Sequence, residues 1–244
     1  MFTCGSGAIH GRTLDVHPAT SRLSDMREQY HEQLEDISSG LVELTQLVGD
    51  AMGRATHALL DCDLQAAESV IASDVDIDER ADAVEVVALD VIALQAPVAG
   101  ELRSLVGALR ISATLERMGD LAEHIAQAAR RRYPDPVVPK ELEPTVREMG
   151  ELAVRLAYET GDVVKSVDVA HALRLEIEDD RMDELHRQMF MKLLAPDWSH
   201  GVESAIDITL VSRFYERFAD HAVSVARRVV QQATGQRAQS LEQN

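Results

Sequence analysis

Aromatic residues make up 4% of the 244-residue sequence, and there is a single tryptophan. So small a supply of Tyr, Phe and Trp argues against a sheet protein. Alanine, leucine, valine and charged residues dominate instead, a mix that favours helix. Cysteine is nearly absent: only Cys4 and Cys62 occur. No disulfide framework can be built from them, and a reducing cytoplasmic setting is expected. Basic residues are outnumbered, 24 Lys and Arg against 42 Asp and Glu, for a formal net charge of −18. Nucleic-acid binding displaces counterions with Lys and Arg, so a chain this acidic is not expected to contact DNA or RNA. Its acidity suits metal cations or a basic protein partner, or serves solubility alone. No run of about 18 apolar residues is present, which excludes a spanning helix and direct membrane insertion. Residues 1–25 lack the apolar core of a signal peptide and read as a polar, disordered extension, with Met26 an alternative start. There is no Walker A loop, no GxSxG and no nucleophile beside a base at recognisable spacing, so no enzymatic activity is expected.

Helix-breaking residues are few and punctuate the rest of the chain. Pro97 interrupts Gln95–Val98, Pro134, Pro136, Pro139 and Pro144 cluster together, and Pro196 precedes Asp197 and Trp198. Between them the pattern predicts six long helices, near 27–61, 64–95, 98–132, 141–165, 168–194 and 199–233. Long helices with short connections form bundles. The expected organisation is a first three-helix repeat over 26–132, a Pro-rich linker over 133–145, a second repeat over 146–235, and a frayed tail over 236–244.

Internal similarity supports that division. Glu116-Arg117-Met118-Gly119-Asp120-Leu121-Ala122 matches Glu216-Arg217-Phe218-Ala219-Asp220-His221-Ala222 at an offset of 100 residues. In the middle helices, Asp74 to Asp78 matches Asp179 to Asp183 as Asp-x-x-apolar-Asp, about 40 residues before the Glu-Arg motif of the same half. With 42 acids in the chain, roughly seven acidic i,i+4 pairs arise by chance, so a single one carries nothing and reads as a solvated face. Recurrence of flanking residues, order and spacing points to duplication.

Acids four apart share a helix face and repel unless a cation sits between them. Hard cations take carboxylate oxygens from several segments at once, and each half could supply four. At 100° per residue, Ile111, Leu115, Met118 and Ile125 form an apolar stripe, with Glu116 and Asp120 roughly 160–180° away. Val211, Phe214, Phe218, Val225 and Val229 form the matching stripe opposite Glu216 and Asp220. A groove or surface site is therefore expected rather than a buried catalytic centre. Leu102, Leu105 and Leu109 fall on the carboxylate side, where a neighbouring helix is expected to cover them. His124 and His221 read as ordinary polar helix residues, Arg130–Arg132 and Arg227–Arg228 as complements to helix ends, and Trp198 as a packing anchor. Glu28 to His31, with Asp183 to His186 as a partial second copy, leaves a ferritin-like di-iron carboxylate protein open as an alternative. A helical adaptor that never holds metal is another.

These residues resemble the PhoU family of phosphate-signalling proteins, most closely its actinobacterial, PhoY-like branch. The resemblance covers about residues 26–235 and rests on Leu94–Arg103, similar to a family signature at the start of the third helix, and on the paired acidic motifs. It implies an all-α fold of two pseudo-symmetric three-helix bundles in a cytoplasmic, often dimeric protein. The implied role is negative regulation of the phosphate-starvation response and of phosphate uptake, through a sensor histidine kinase and the phosphate ABC transporter. It also implies that divalent or iron-type metal ions bind Asp74, Asp78, Glu116 and Asp120 in one half, and Asp179, Asp183, Glu216 and Asp220 in the other. The sequence departs from the family in residues 1–25, in a second half with Pro196-Asp197-Trp198 where the signature would recur, and in middle-helix motifs that begin with Asp rather than Glu.

Overall fold

The structure, a computed structural model, describes residues 18–234. Those residues form six helices: α1 (Pro18–Asp61), α2 (Leu64–Gln95), α3 (Ala99–Arg132), α4 (Glu143–Ser166), α5 (Val169–Leu193) and α6 (Gly201–Thr234). Five of them fall within two residues of the expected bounds. The exception is the start of α1. Helix α1 opens at Pro18, nine residues before the expected 27, so residues 18–25 are helical rather than part of a disordered extension. Proline is tolerated at a first helical position because its missing N–H would be unpaired there anyway. Residues 1–17 and the tail 236–244 lie outside the described residues. Helix α4 starts at Glu143 because the preceding segment turns: the Leu142 N–H donates to the Pro139 carbonyl at 2.8 Å. Val137, Val138 and Leu142 are buried, so the Pro-rich linker packs on the core.

The turns repeat as the motifs do. Between α1 and α2, Cys62 takes a left-handed conformation (φ 53°), and Asp63 caps α2 by accepting from the Ala66 N–H at 3.0 Å. Between α4 and α5, Val167 has φ 55°, and Asp168 caps α5 by accepting from the Ala170 and His171 N–H groups. An Asp at this position satisfies donors that a helix start otherwise leaves bare. A further pair ties the middle helix to the third. The Ser112 hydroxyl donates to the Ala81 carbonyl at 3.2 Å, and Ser212 Oγ lies 3.1 Å from His186 Nδ1. Cys62, Asp63 and Ala81 correspond to Val167, Asp168 and His186 at one offset of 105 residues, the offset that also relates Asp74 to Asp179.

Helices α1, α2 and α3 pack on one another, as do α4, α5 and α6. The halves join through α1 on α4 and α3 on α6, which leaves α2 and α5 on opposite flanks. The two apolar stripes meet in one continuous core: Ile111, Leu115, Met118, Ile125, Val211, Phe218, Val225 and Val229 are buried, with Phe214 partly so. Of the leucines on the opposite side of α3, Leu105 is buried and Leu109 packs against the core, while Leu102 stays exposed. Trp198 packs against the core and donates its indole N–H to the Gly201 carbonyl at 2.9 Å.

The α1–α4 crossing is close because two glycines of α4 lie under two threonines of α1. A Cβ on Gly161 would lie 2.3 Å from Thr45 Oγ1, and one on Gly150 would lie 2.5 Å from Thr56 Cγ2. The 105-residue offset turns one contact into the other. Thr56 also shares a 2.8 Å hydrogen bond with the fully buried Tyr215 hydroxyl, linking α1 to α6. Among the described residues only one ionisable carboxylate falls in the buried class, Asp207 of α6. It is paired with Arg132 Nε at 2.9 Å and with Arg131 at 3.6 Å. A di-iron centre inside a helical core needs several buried carboxylates and histidines. Glu28, His31 and Asp183 are exposed instead, which removes the structural basis of the ferritin-like alternative.

Candidate metal-binding grooves

The carboxylates named from the sequence gather in two grooves, one between α2 and α3 and the other between α5 and α6. In the first, Asp74, Glu116 and Asp120 are half-buried and Asp78 is exposed. Ile77 is buried between Asp74 and Asp78 and seats on Gly119 of α3. A Cβ on Gly119 would stand 3.1 Å from Ile77 and 3.2 Å from Asp74 Oδ1, so the bare backbone is what lets Asp74 lie against α3. The position after Met118 is small in both repeats, and its counterpart Ala219 is buried.

Burial, followed by repulsion from Asp78, Glu123, Asp120 and Glu116, pushes the Asp74 carboxyl up to about 6. Asp78 is raised by burial and then by Asp120, Asp82 and Glu123. Glu116 is raised by burial and then by Asp120 and Asp78, with Arg117 opposing. The four predicted residues thus share one electrostatic neighbourhood, which Asp82 and Glu123 also enter. Both additions were legible as helical spacing, since Asp82 follows Asp78 by one turn and Glu123 follows Asp120 by three residues.

The second groove repeats the arrangement with different neighbours. Asp179 and Glu216 are half-buried, and Asp183 and Asp220 are exposed. Burial, then Asp220 and Asp183, drive Asp179 up to about 7 against the opposing charge of Arg227. Glu216 is raised by burial and Asp220, and is ion-paired with Arg213. Arg227 Nε reaches Glu176 Oε1 at 2.6 Å. The first-half counterparts of Arg213, Arg227 and Glu176 are Ala113, Gln127 and Ile71. The first groove is therefore left with uncompensated acid, while arginine partly neutralises the second. No motif in the sequence marked those arginines as groove residues.

Chemically the donor set is all carboxylate oxygen, the kind that hard cations take. Among the described residues no three His, Cys, Asp or Glu side chains converge tightly enough to hold an ion as they stand. Side-chain rotation would have to bring them together, and in the second groove Glu216 would have to leave Arg213. The raised carboxyls express the same incomplete compensation.

A pH dependence follows. Asp74 and Asp179 bind protons more tightly folded than unfolded, so the native state holds more protons between the unfolded carboxylate range and about 6 to 7. Stability then falls as pH rises through that window. Metal-free protein is expected to melt at a higher temperature at pH 5.5 than at pH 8, as read by calorimetry in chelator. Asp179→Asn should flatten the difference by stabilising the pH 8 state. Solvent screening in the half-open groove limits the expected gain to about 1 kcal/mol.

The pattern of the PhoU domain matches this chain twice, over residues 41–129 and 146–229. The chain belongs to the PhoU family. A protein of Mycobacterium leprae, "Phosphate-specific transport system accessory protein PhoU homolog 1", is 50% identical over 210 residues, covering 86% of this chain and 95% of the relative. "PhoU homolog 2" of Mycobacterium tuberculosis is also 50% identical over 210 residues, covering 86% of this chain and 99% of that one. The fold is shared with the crystal structure of PhoU from Pseudomonas aeruginosa, at TM-score 0.76 and 24% identity, covering 85% of this chain and all of that one. PhoU of Streptococcus pneumoniae aligns equally well, at TM-score 0.76 and 22% identity, over 85% of this chain and 98% of that one. Each PhoU match in this chain contains one complete acidic groove. Among the described residues no helix is long and apolar enough to cross a membrane.

Proposed function

We propose that this chain is a PhoU-type accessory protein of phosphate-specific transport. In this reading it restrains the phosphate-starvation response and phosphate uptake by touching a sensor histidine kinase and the phosphate ABC transporter. The observation that carries it is 50% identity over 210 residues to mycobacterial proteins of that name, matched over nearly their whole length. The role is regulatory rather than catalytic, performed in the cytoplasm. Surfaces for partners, or for a second copy in a homodimer, lie at the ends of the helix pairs. Leu94 and Val98 stand 75% and 72% exposed where α2 meets α3, and Leu194 and Val202 stand 79% and 77% exposed where α5 meets α6. Exposed apolar side chains at matching places in both repeats suit docking.

The proposed metal reading assigns Asp74, Asp78, Glu116 and Asp120 to one ion site and Asp179, Asp183, Glu216 and Asp220 to the other. A bound divalent or iron-type ion would supply positive charge that pulls the middle helix of each half onto the third. A metal-free adaptor is the second reading, favoured by carboxylates that do not converge as they stand. Elemental analysis of freshly purified protein separates the two. The regulatory role is tested in a strain lacking this gene and any paralogue. Phosphate-starvation genes should be expressed in phosphate-replete medium and phosphate uptake should rise. Unchanged expression and uptake would contradict the role.

A further inference from the structure

The contact between α3 and α6 has two ends, and the repeat makes them comparable position by position. At one end, Glu203 and Asp207 from the start of α6 meet Arg131 and Arg132 from the end of α3. Arg132 lies 3.0 Å from Glu203 and 2.9 Å from Asp207, and Arg131 lies 3.6 Å from Asp207. Every charge in that cluster has an opposite beside it. At the other end, the 100-residue offset replaces Glu203 with Arg103, Asp207 with Gly107, Arg131 with Gln231 and Arg132 with Gln232. Both acids are lost there. Arginine has moved onto α3, joined by Arg110, and α6 adds Arg228.

These residues line a pocket of about 110 Å³ between α3 and α6. Its polar lining is rich in donors: three guanidinium groups and two amides. Although the chain carries 42 acids, none forms an ion pair with Arg103, Arg110 or Arg228 among the described residues. Arg228 Nε and Gln232 Nε2 are buried without an acceptor. A buried donor left unpaired is destabilising, and grouped like charges add to that. The Gln232 amide lies over bare backbone, where a Cβ on Gly107 would stand 1.5 Å from Nε2. The end that lost its own acceptors has thus kept room and donors for one supplied from outside.

We propose that this end of the α3–α6 contact is an oxyanion site for a phosphate group, held by Arg103, Arg110 and Arg228 with the Gln232 amide. Guanidinium groups bind phosphate oxygens through paired N–H donors. Three of them from two helices supply more donors and more charge than one planar carboxylate accepts, and suit a tetrahedral dianion. The pocket exceeds the ~30 Å³ share of a liquid water. The residues are separate from the acidic grooves, so the proposal stands whether or not metal binds there.

The chemistry is common to free phosphate and to a phosphorylated lipid headgroup, and two probes separate these sources. Full-length protein, freed of metal with chelator, is dialysed against radiolabelled inorganic phosphate. In parallel it is sedimented with phosphatidylcholine vesicles carrying phosphatidic acid. Binding by the first probe identifies a soluble ligand, and binding by the vesicles alone identifies a headgroup. Arg103→Gln with Arg110→Gln, at two exposed positions that leave the core untouched, should weaken the binding on the order of tenfold or more. Arg130→Gln with Arg147→Gln removes the same charge elsewhere and should leave it unchanged. Failure of both probes to bind overturns the site, as does equal weakening by the two double variants.

Discussion

Replacing Asp74 with Asn and Glu116 with Gln together should have two opposite effects. Metal-free protein at pH 8 should become more stable by about 1–2 kcal/mol, because two half-buried charges that repel each other and their neighbours are gone. For a chain of this size that raises the melting temperature by several degrees. Stabilisation by added manganese or iron should largely vanish, with affinity at that groove falling at least about a hundredfold, since changing a residue that merely supports a metal ligand already costs about 10–100-fold. A general loss of stability would move both readings the same way, so the opposed signs identify a cation site. The matching change in the other half, Asp179→Asn with Glu216→Gln, should give a smaller loss of metal response. Arg213 and Arg227 already offset part of that groove's charge. Thermal melts of both variants, with and without metal, read the whole comparison. A metal response intact in the first variant would move the ion away from the α2–α3 groove.

The second large effect is expected at the crossing of α1 and α4. Gly161→Ala puts a methyl group 2.3 Å from Thr45 Oγ1, and threonine is branched at Cβ and cannot swing aside freely. Thr45 is fully buried and already donates to the Val42 carbonyl at 2.7 Å. Overpacking of this kind typically costs 1–3 kcal/mol, enough to exceed the roughly 0.5–1 kcal/mol that alanine gains over glycine in a helix. Adding Thr45→Ala should return most of the loss, a non-additivity that marks direct contact. Gly53→Ala serves as the control on the same crossing. Its Cβ would meet Val154 Cγ2 at 3.5 Å, an ordinary contact, so it should be neutral or mildly stabilising. Chemical denaturation of the wild type, Gly161→Ala, Thr45→Ala and the double variant gives the cycle.

Much of this architecture was written in local pattern. Pro97 and Pro196 mark where helices must stop. The apolar stripes through Ile111 and Val211 have helical period, and they are what the core contains. The expected start of α1 was late because the amphipathic pattern weakens before Met26, although Pro18 is a good first helical residue. Of the grooves, the sequence disclosed the acids. Asp74 and Asp179 recur in order and spacing, and a helix face follows from four-residue separation. What spacing could not disclose is which neighbours compensate them. Arg213 reaches Glu216 by local geometry, but Arg227 and Glu176 are 51 residues apart and meet only because α5 packs on α6. The α1–α4 contact was hidden for a similar reason. A glycine inside a helix reads as a weakness until the threonine that occupies its space is known.

Both halves of this PhoU-family chain are proposed to present their duplicated acids as cation sites. Anomalous diffraction from crystals grown with manganese tests it most directly. The account predicts one peak among Asp74, Asp78, Glu116 and Asp120, and a weaker one among Asp179, Asp183, Glu216 and Asp220. Peaks confined to other surfaces, with both grooves empty at saturating manganese, would contradict it.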